Sequence, residues 1–136
     1  MFLLDIRGGR KSERSLIEDA FWFCVGELMP RKRILEVDII LKNINDEVGG
    51  GEAIGWHLAL DLHEHVIEIQ KGMETDDLLM TLFHEMVHVR QHERGEFKNE
   101  EGISYWKKPS EKEAYKLQKV LLKKWKTYQK TSCMAA

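Results

Sequence analysis

Thr75-Asp-Asp-Leu-Leu-Met-Thr-Leu-Phe-His84-Glu85-Met-Val-His88-Val-Arg-Gln-His92 is the stretch on which the fold turns. Thr75 is a suitable N-cap, and Asp76 and Asp77 suit the positive end of a helix dipole, so the spacing predicts a helix from Thr75 to about His92. Leu79, Leu82, Met86 and Val89 recur at helical spacing and form one apolar stripe. His84, Glu85 and His88 lie beside it. Residues four apart share a helix face, so both imidazoles can reach one cation at zinc-ligand distance. Glu85 is then expected to act as general base toward a water that zinc has made acidic.

A catalytic zinc needs a third protein ligand and keeps one position for water. His92 continues the i, i+4 series but lies about 12 Å along the axis from His84, too far to share one ion on a straight helix. Glu111 and Glu113 open the next helix, in Ser110-Glu-Lys-Glu-Ala-Tyr115. Glu113 precedes Leu117 and Leu121 by one and two turns, which directs it toward the packed side and makes it the favoured ligand. Either acid also suits the first turn of a helix electrostatically.

Upstream, the apolar spacing predicts a helix over Ser12 to Met29, capped by Ser12 and stopped by Pro30. Ile34 to Leu41 reads as a strand and Asn43 to Gly51 as a mobile turn. In Trp56 to Leu62 the residues Trp56, Leu58, Leu60 and Leu62 alternate with His57, Ala59, Asp61 and His63, the period of a half-buried strand. His65 to Gln70 completes a hairpin, and Gly72 ends the sheet. His57, His63 and His65 alternate with the presumed core side and are expected to be exposed. Downstream, Glu93 to Pro109 is a loop, and Ser110 caps a last helix to about Lys130. Ala114, Leu117, Val120, Leu121, Trp125 and Tyr128 lie on its apolar side, and Trp106 and Trp125 are expected in packing roles.

The 136 residues, 43% hydrophobic and 32% charged, are the amount and balance of one globular domain, taken as residues 1–136. A net charge of -2 gives no general attraction to nucleic acid. The lysines from Lys112 to Lys130 are read first as a solvated helix face, with nucleic-acid contact the lesser reading. Cys24 and Cys133 form no Cys-x-x-Cys pair, so both are read as free thiols in a reducing compartment. The early apolar run is too short for a leader and no stretch approaches the ~18 apolar residues of a membrane span. A cytoplasmic location is expected.

The run His84 to Gln91, then a Gly-containing loop with a Trp, then Pro109-Ser-Glu-Lys-Glu-Ala-Tyr115, resembles small phage-type metallopeptidases often described as SprT-like, with a layout similar to the minimal gluzincins. The resemblance covers roughly Val66 to Gln118, about two-fifths of the chain. It implies a phage or viral setting and an α+β zincin-like fold: a short mixed or antiparallel sheet packed on an active-site helix, with a C-terminal helix. It also implies peptide-bond hydrolysis on a zinc held by His84, His88 and Glu113, acting on a peptide or protein substrate. The strand His65 to Gln70 resembles the cleft rim along which zincins pair extended substrate. Zincins also stabilise the oxyanion with a Tyr or His; Tyr105, Tyr115 and Tyr128 are the candidates here. Two other readings are a non-proteolytic zinc-binding module and a nucleic-acid-associated protease. SprT proper takes a third histidine and often carries a zinc ribbon or DNA-binding tail, none of which is evident in these residues.

Overall fold

A computed structural model describes residues 1–47 and 54–135, so residues 48–51 of the turn expected over Asn43–Gly51, like the side chain of Cys133, lie outside the described residues. The elements follow in the order β1 (Phe2–Gly8), α1 (Lys11–Leu28), β2 (Leu35–Lys42), the single turn α2 (Ile44–Glu47), β3 (Gly55–Asp61), β4 (Glu64–Gln70), α3 (Thr75–Glu93), a 3-10 turn at Tyr105–Lys107, and α4 (Pro109–Ala135). The class is mixed α/β, with one open four-stranded sheet in the order β1-β2-β4-β3. β1, β2 and β4 run parallel, and β3 pairs antiparallel with β4 at the edge.

β1 is a strand that the opening residues do not advertise. Its side chains alternate between half-buried Phe2, Leu4 and Ile6 and exposed Leu3, Asp5 and Arg7, the period of a strand covered on one face. The helices start close to their expected positions but with other caps. Arg10 occupies the N-cap of α1, and its backbone N–H donates to the Glu13 carboxylate, while Ser12 falls within the first turn. Glu74 rather than Thr75 precedes α3, and α4 begins at Pro109, one residue ahead of Ser110.

α1 and α3 cover one face of the sheet and α4 packs on α3. The core joins Val37, Ile39 and Leu41 of β2 and Ile67 and Ile69 of β4 to Ile17, Phe21 and Cys24 of α1, Leu82, Phe83 and Met86 of α3, and Ala114, Leu121 and Trp125 of α4. Because α3 is covered on several sides, its residues 81 to 87 are all buried, whatever their polarity. This puts His84 and Glu85 inside the molecule.

Two expectations about the sheet are reversed. Gly55, His57 and Ala59 of β3 stand opposite Ile69, Ile67 and His65, and directly opposed residues share a face, so this side of β3 looks onto the helices. Leu58 and Leu60 point to the uncovered face, 50% and 58% exposed, where Trp56 donates its Nε1–H to Glu68, itself paired with Lys42. The strand rich in leucine therefore turns its histidine side toward the helices, with His57 half-buried. The second reversal concerns the rim. β4 is hydrogen-bonded on both sides, to β2 and β3, so His65 to Gln70 is an interior strand and the free edge belongs to β3.

Among the described residues, no helix is long and apolar enough to cross a membrane. The lysines of α4 are exposed, with Lys124 on Glu27 and Lys126 on Asp76. Glu13 links two parts of the chain that are distant in sequence: its carboxylate accepts from the backbone N–H of Arg10 and of Gly72, each at 2.9 Å. Burial alone would raise its pKa, but these bonds and the Arg10 guanidinium outweigh burial and hold it below the usual glutamate value. A depressed pKa contributes stability that is complete above the unfolded value and lost as pH falls through the folded one. Glu13→Gln is therefore expected to cost about 1–3 kcal/mol at neutral pH. Urea melts of both proteins should show that gap shrinking as pH falls below the ordinary glutamate pKa of about 4.3 and on through the lower folded value; a gap independent of pH would contradict the linkage.

Candidate metal centre

His84 and His88 lie one turn apart on α3, with Nε2 atoms 3.2 Å from each other. Glu111, in the first turn of α4, meets both: Oε1 is 2.9 Å from His84 Nε2 and Oε2 is 3.0 Å from His88 Nε2. On the far side of each ring stands a glutamine carbonyl. Gln118 Oε1 is 2.9 Å from His84 Nδ1, and Gln91 Oε1 is 2.8 Å from His88 Nδ1. The Gln91 amide is oriented by its other end, where Nε2 donates to Ser110 O and to Glu113 Oε1. Its carbonyl must then face the imidazole, which donates Nδ1–H to it. This assignment leaves Nε2 of His88 as a lone pair, and the same pattern at Gln118 does so for His84.

Two imidazole lone pairs and a carboxylate thus converge on one point, and such a group needs a positive charge among its members. A proton meets the need in part. Burial disfavours the charged form of His88, but the bond to Glu111 and the charges of Glu85 and Glu111 outweigh it and raise its pKa. Glu111 is driven the other way, well below the usual carboxylate range: burial opposes, and bonds to both histidines and to Tyr105 prevail. A metal cation meets the same need. His84, Glu85 and His88 offer ligand atoms all within 4.8 Å of one another and can hold a metal ion.

Glu113, the acid favoured from sequence, is not at this point. Its Oε1 accepts from Arg90 Nη2 at 3.2 Å and Gln91 Nε2 at 3.1 Å, so it touches the residue that orients His88 and not the histidines. Residues two apart on a helix point about 200° from one another, so only one of the pair can face α3. The facing stripe of α4 is Ala114, Leu121 and Trp125, all buried, with Gln118 among them on His84. Extended one turn back, that stripe meets Glu111. Reading Gln118 as part of it, instead of Leu117, was the signal available in the sequence.

Glu85 is 5% exposed and borders the same cavity as His84, His88 and Glu111, a space of about 400 Å³. Burial raises its pKa against the opposing influence of His84 and His88. A second, more apolar cavity of about 540 Å³ opens beside it, bordered by Ile54, Met80, Tyr105, Trp106 and Tyr115 and sharing Gly55, His84 and Glu85 with the first. Of the three tyrosines, Tyr115 meets His84 edge-to-face with ring centroids 4.5 Å apart, and Tyr105 bonds to Tyr115 and to Glu111. Tyr128 packs with Phe23 and Trp125 instead. Trp125 is core, as expected, whereas Trp106 is 71% exposed and stacks on Tyr115.

The other histidines are not a solvated row. His65 is 1% exposed, with Nδ1 2.8 Å from His57 Nε2 and Nε2 2.7 Å from Glu93 Oε2. Burial, and then the neighbouring histidines, hold the His57 pKa down to about 3. Glu93 is held at about 2: burial opposes, and Lys32, His63 and His65 prevail.

No family model, curated protein or solved structure matches this chain.

Gly55 sets how closely the edge strand approaches α3 at Glu85. A Cβ there would lie 2.6 Å from Thr81 Cγ2 and 3.7 Å from Glu85 Oε2. Thr81 is held in its rotamer by its hydroxyl bond to Asp77 O. Gly55→Ala is expected to lose about 1–3 kcal/mol through overpacking. Thr81→Ser, which removes the offending methyl, should restore much of that loss in a double-mutant thermal-melt cycle; strict additivity would contradict the contact.

Proposed function

We propose that this chain is a zinc-dependent peptidase in which His84, His88 and Glu111 hold the metal and Glu85 moves the proton. The observation that carries the reading is the convergence of two imidazole nitrogens and a carboxylate at 2.9–3.2 Å, each imidazole braced from behind by a glutamine. Two nitrogens and one carboxylate are a donor set suited to zinc with a position left open. When bound, zinc supplies a Lewis acid and lowers the pKa of a coordinated water toward ~7.

The chain's own residues supply the rest. Glu85 follows the first histidine on α3, and burial strengthens its hold on a proton. It can take a proton from water as a carbonyl is attacked and deliver it to the departing amine. Gln91 and Gln118 keep the ring nitrogens aimed, and Glu113 and the Ser110 carbonyl keep Gln91 aimed.

β3 borders the cavity at Gly55, Trp56 and His57, and it is an edge strand. Its free main-chain groups can pair with an extended peptide, which gives affinity with little demand on sequence. The aromatic cavity beside Glu85 suits a large apolar side chain of that peptide.

Elemental analysis of purified protein is expected to find zinc, lost in His88→Ala and Glu111→Gln. Glu113→Gln should keep it, weakened ~10–100-fold at most because it acts through Gln91. The reverse order for the two glutamates would contradict the ligand assignment. Cleavage of unfolded casein should fall ~10²–10⁴-fold in Glu85→Gln with zinc retained. A wild type that holds zinc and cleaves no protein is the non-proteolytic module instead.

A further inference from the structure

The chain has six histidines, and only two belong to the site at Glu111. The other four gather at the C-terminal end of α3 around Glu93, whose side chain is 2% exposed. Oε1 of Glu93 meets His63 Nδ1 and Lys32 Nζ, and Oε2 meets His65 Nε2 at 2.7 Å. A carboxylate only accepts, so His65 carries its proton on Nε2 and, as a neutral ring, turns the Nδ1 lone pair toward His57 Nε2 at 2.8 Å. A carboxylate on one nitrogen of an imidazole, with the lone pair of the other turned outward, is how proteins orient a histidine toward a metal, and here that lone pair is met by the His57 ring.

The third ring is His92, one turn beyond His88 on the same face of α3. Its centroid lies 5.3 Å from His65 and 6.4 Å from His57, and those two are 5.0 Å apart. For comparison, the His84 and His88 rings are 4.9 Å apart. Two nitrogens bound tetrahedrally to one zinc stand about 3.3 Å apart, given metal–nitrogen bonds of 2.0–2.1 Å. His57 on the edge strand needs to move by about half an ångström, and His92, which is exposed and has its ring edge-on to His65, must turn to bring a nitrogen in.

We infer that His57, His65 and His92, with Glu93 orienting His65, form a second transition-metal site that ties the edge strand β3 to the end of α3. An all-imidazole donor set selects zinc, cobalt, nickel or copper over magnesium and calcium. The site is weaker than the first, because its one carboxylate is shared with Lys32 and makes no bond to the ion. His57 and His92 line the same cavity as His84 and His88, so occupancy of the second site narrows the space in which a peptide would lie. The inference stands on residues separate from those of the proposed catalytic centre.

The test is a titration of metal-stripped, untagged protein with zinc by calorimetry, repeated with cobalt and read by its visible spectrum. Wild type is expected to bind two equivalents, the second at least tenfold more weakly, and neither calcium nor magnesium should compete. His57→Ala and His92→Ala should each remove only the weaker equivalent, while the double variant His84→Ala/His88→Ala keeps it. Thermal melts verify that each variant is folded, and His92, being exposed, is the substitution least able to disturb the core. A wild type with one equivalent that vanishes in His84→Ala/His88→Ala overturns the second site and leaves the proposed function intact. One equivalent that survives there and vanishes in His57→Ala does the opposite. Two equivalents indifferent to His57→Ala and His92→Ala also overturn this inference.

Discussion

Glu111 standing between the Nε2 atoms of His84 and His88 is the interaction on which the arrangement of the helices depends. Two lone pairs and an anion do not gather inside a protein unless a cation or a proton joins them. To bring them together, α4 must deliver its first turn to the middle of α3. Ala114 makes this possible, since a small, fully buried side chain lets the two helices approach one turn from Glu111. Leu121 and Trp125 then bury the remainder of the contact.

Apart from Arg90 Nε, which is buried without a partner, the polar groups that this packing buries are satisfied in layers. Gln91 and Gln118 serve the two imidazoles; Glu113 and Ser110 serve Gln91; Arg90 serves Glu113. Glu100 reaches across from the loop to bond both the backbone N–H and the hydroxyl of Ser110, so the loop is pinned to the start of α4. Removing one member of such a network leaves another buried polar group without a partner, which costs more than the bond itself was worth. The network thus holds the histidine rings in one orientation, as a metal centre requires.

Much of this was legible in the sequence, for identifiable physical reasons. α3 was readable because its cap region, acidic first turn and apolar stripe agree, and the β3–β4 hairpin because it is local. β1 was not, because this edge strand buries no side chain and only Phe2, Leu4 and Ile6 are half-buried. The orientation of β3 failed for a subtler reason. The alternating leucines predict the buried set, yet the face toward α3 must accommodate the close approach at Gly55 and the bond from His57 to His65. That Glu111 rather than Glu113 meets the two histidines is a matter of helix phase. Leu117 and Leu121 lie one turn apart, but only Leu121 is fully in the core, while Gln118, polar and so passed over, marks the facing stripe. Polar residues that serve a buried site are the ones that a hydrophobic pattern hides.

The most direct measurement is anomalous scattering at the zinc absorption edge from crystals grown with zinc. The expected result is a strong peak within about 2.0–2.2 Å of His84 Nε2, His88 Nε2 and a Glu111 carboxylate oxygen. A peak bonded to Glu113 instead, or no peak between the two imidazoles of α3, would contradict the assignment of this metal centre.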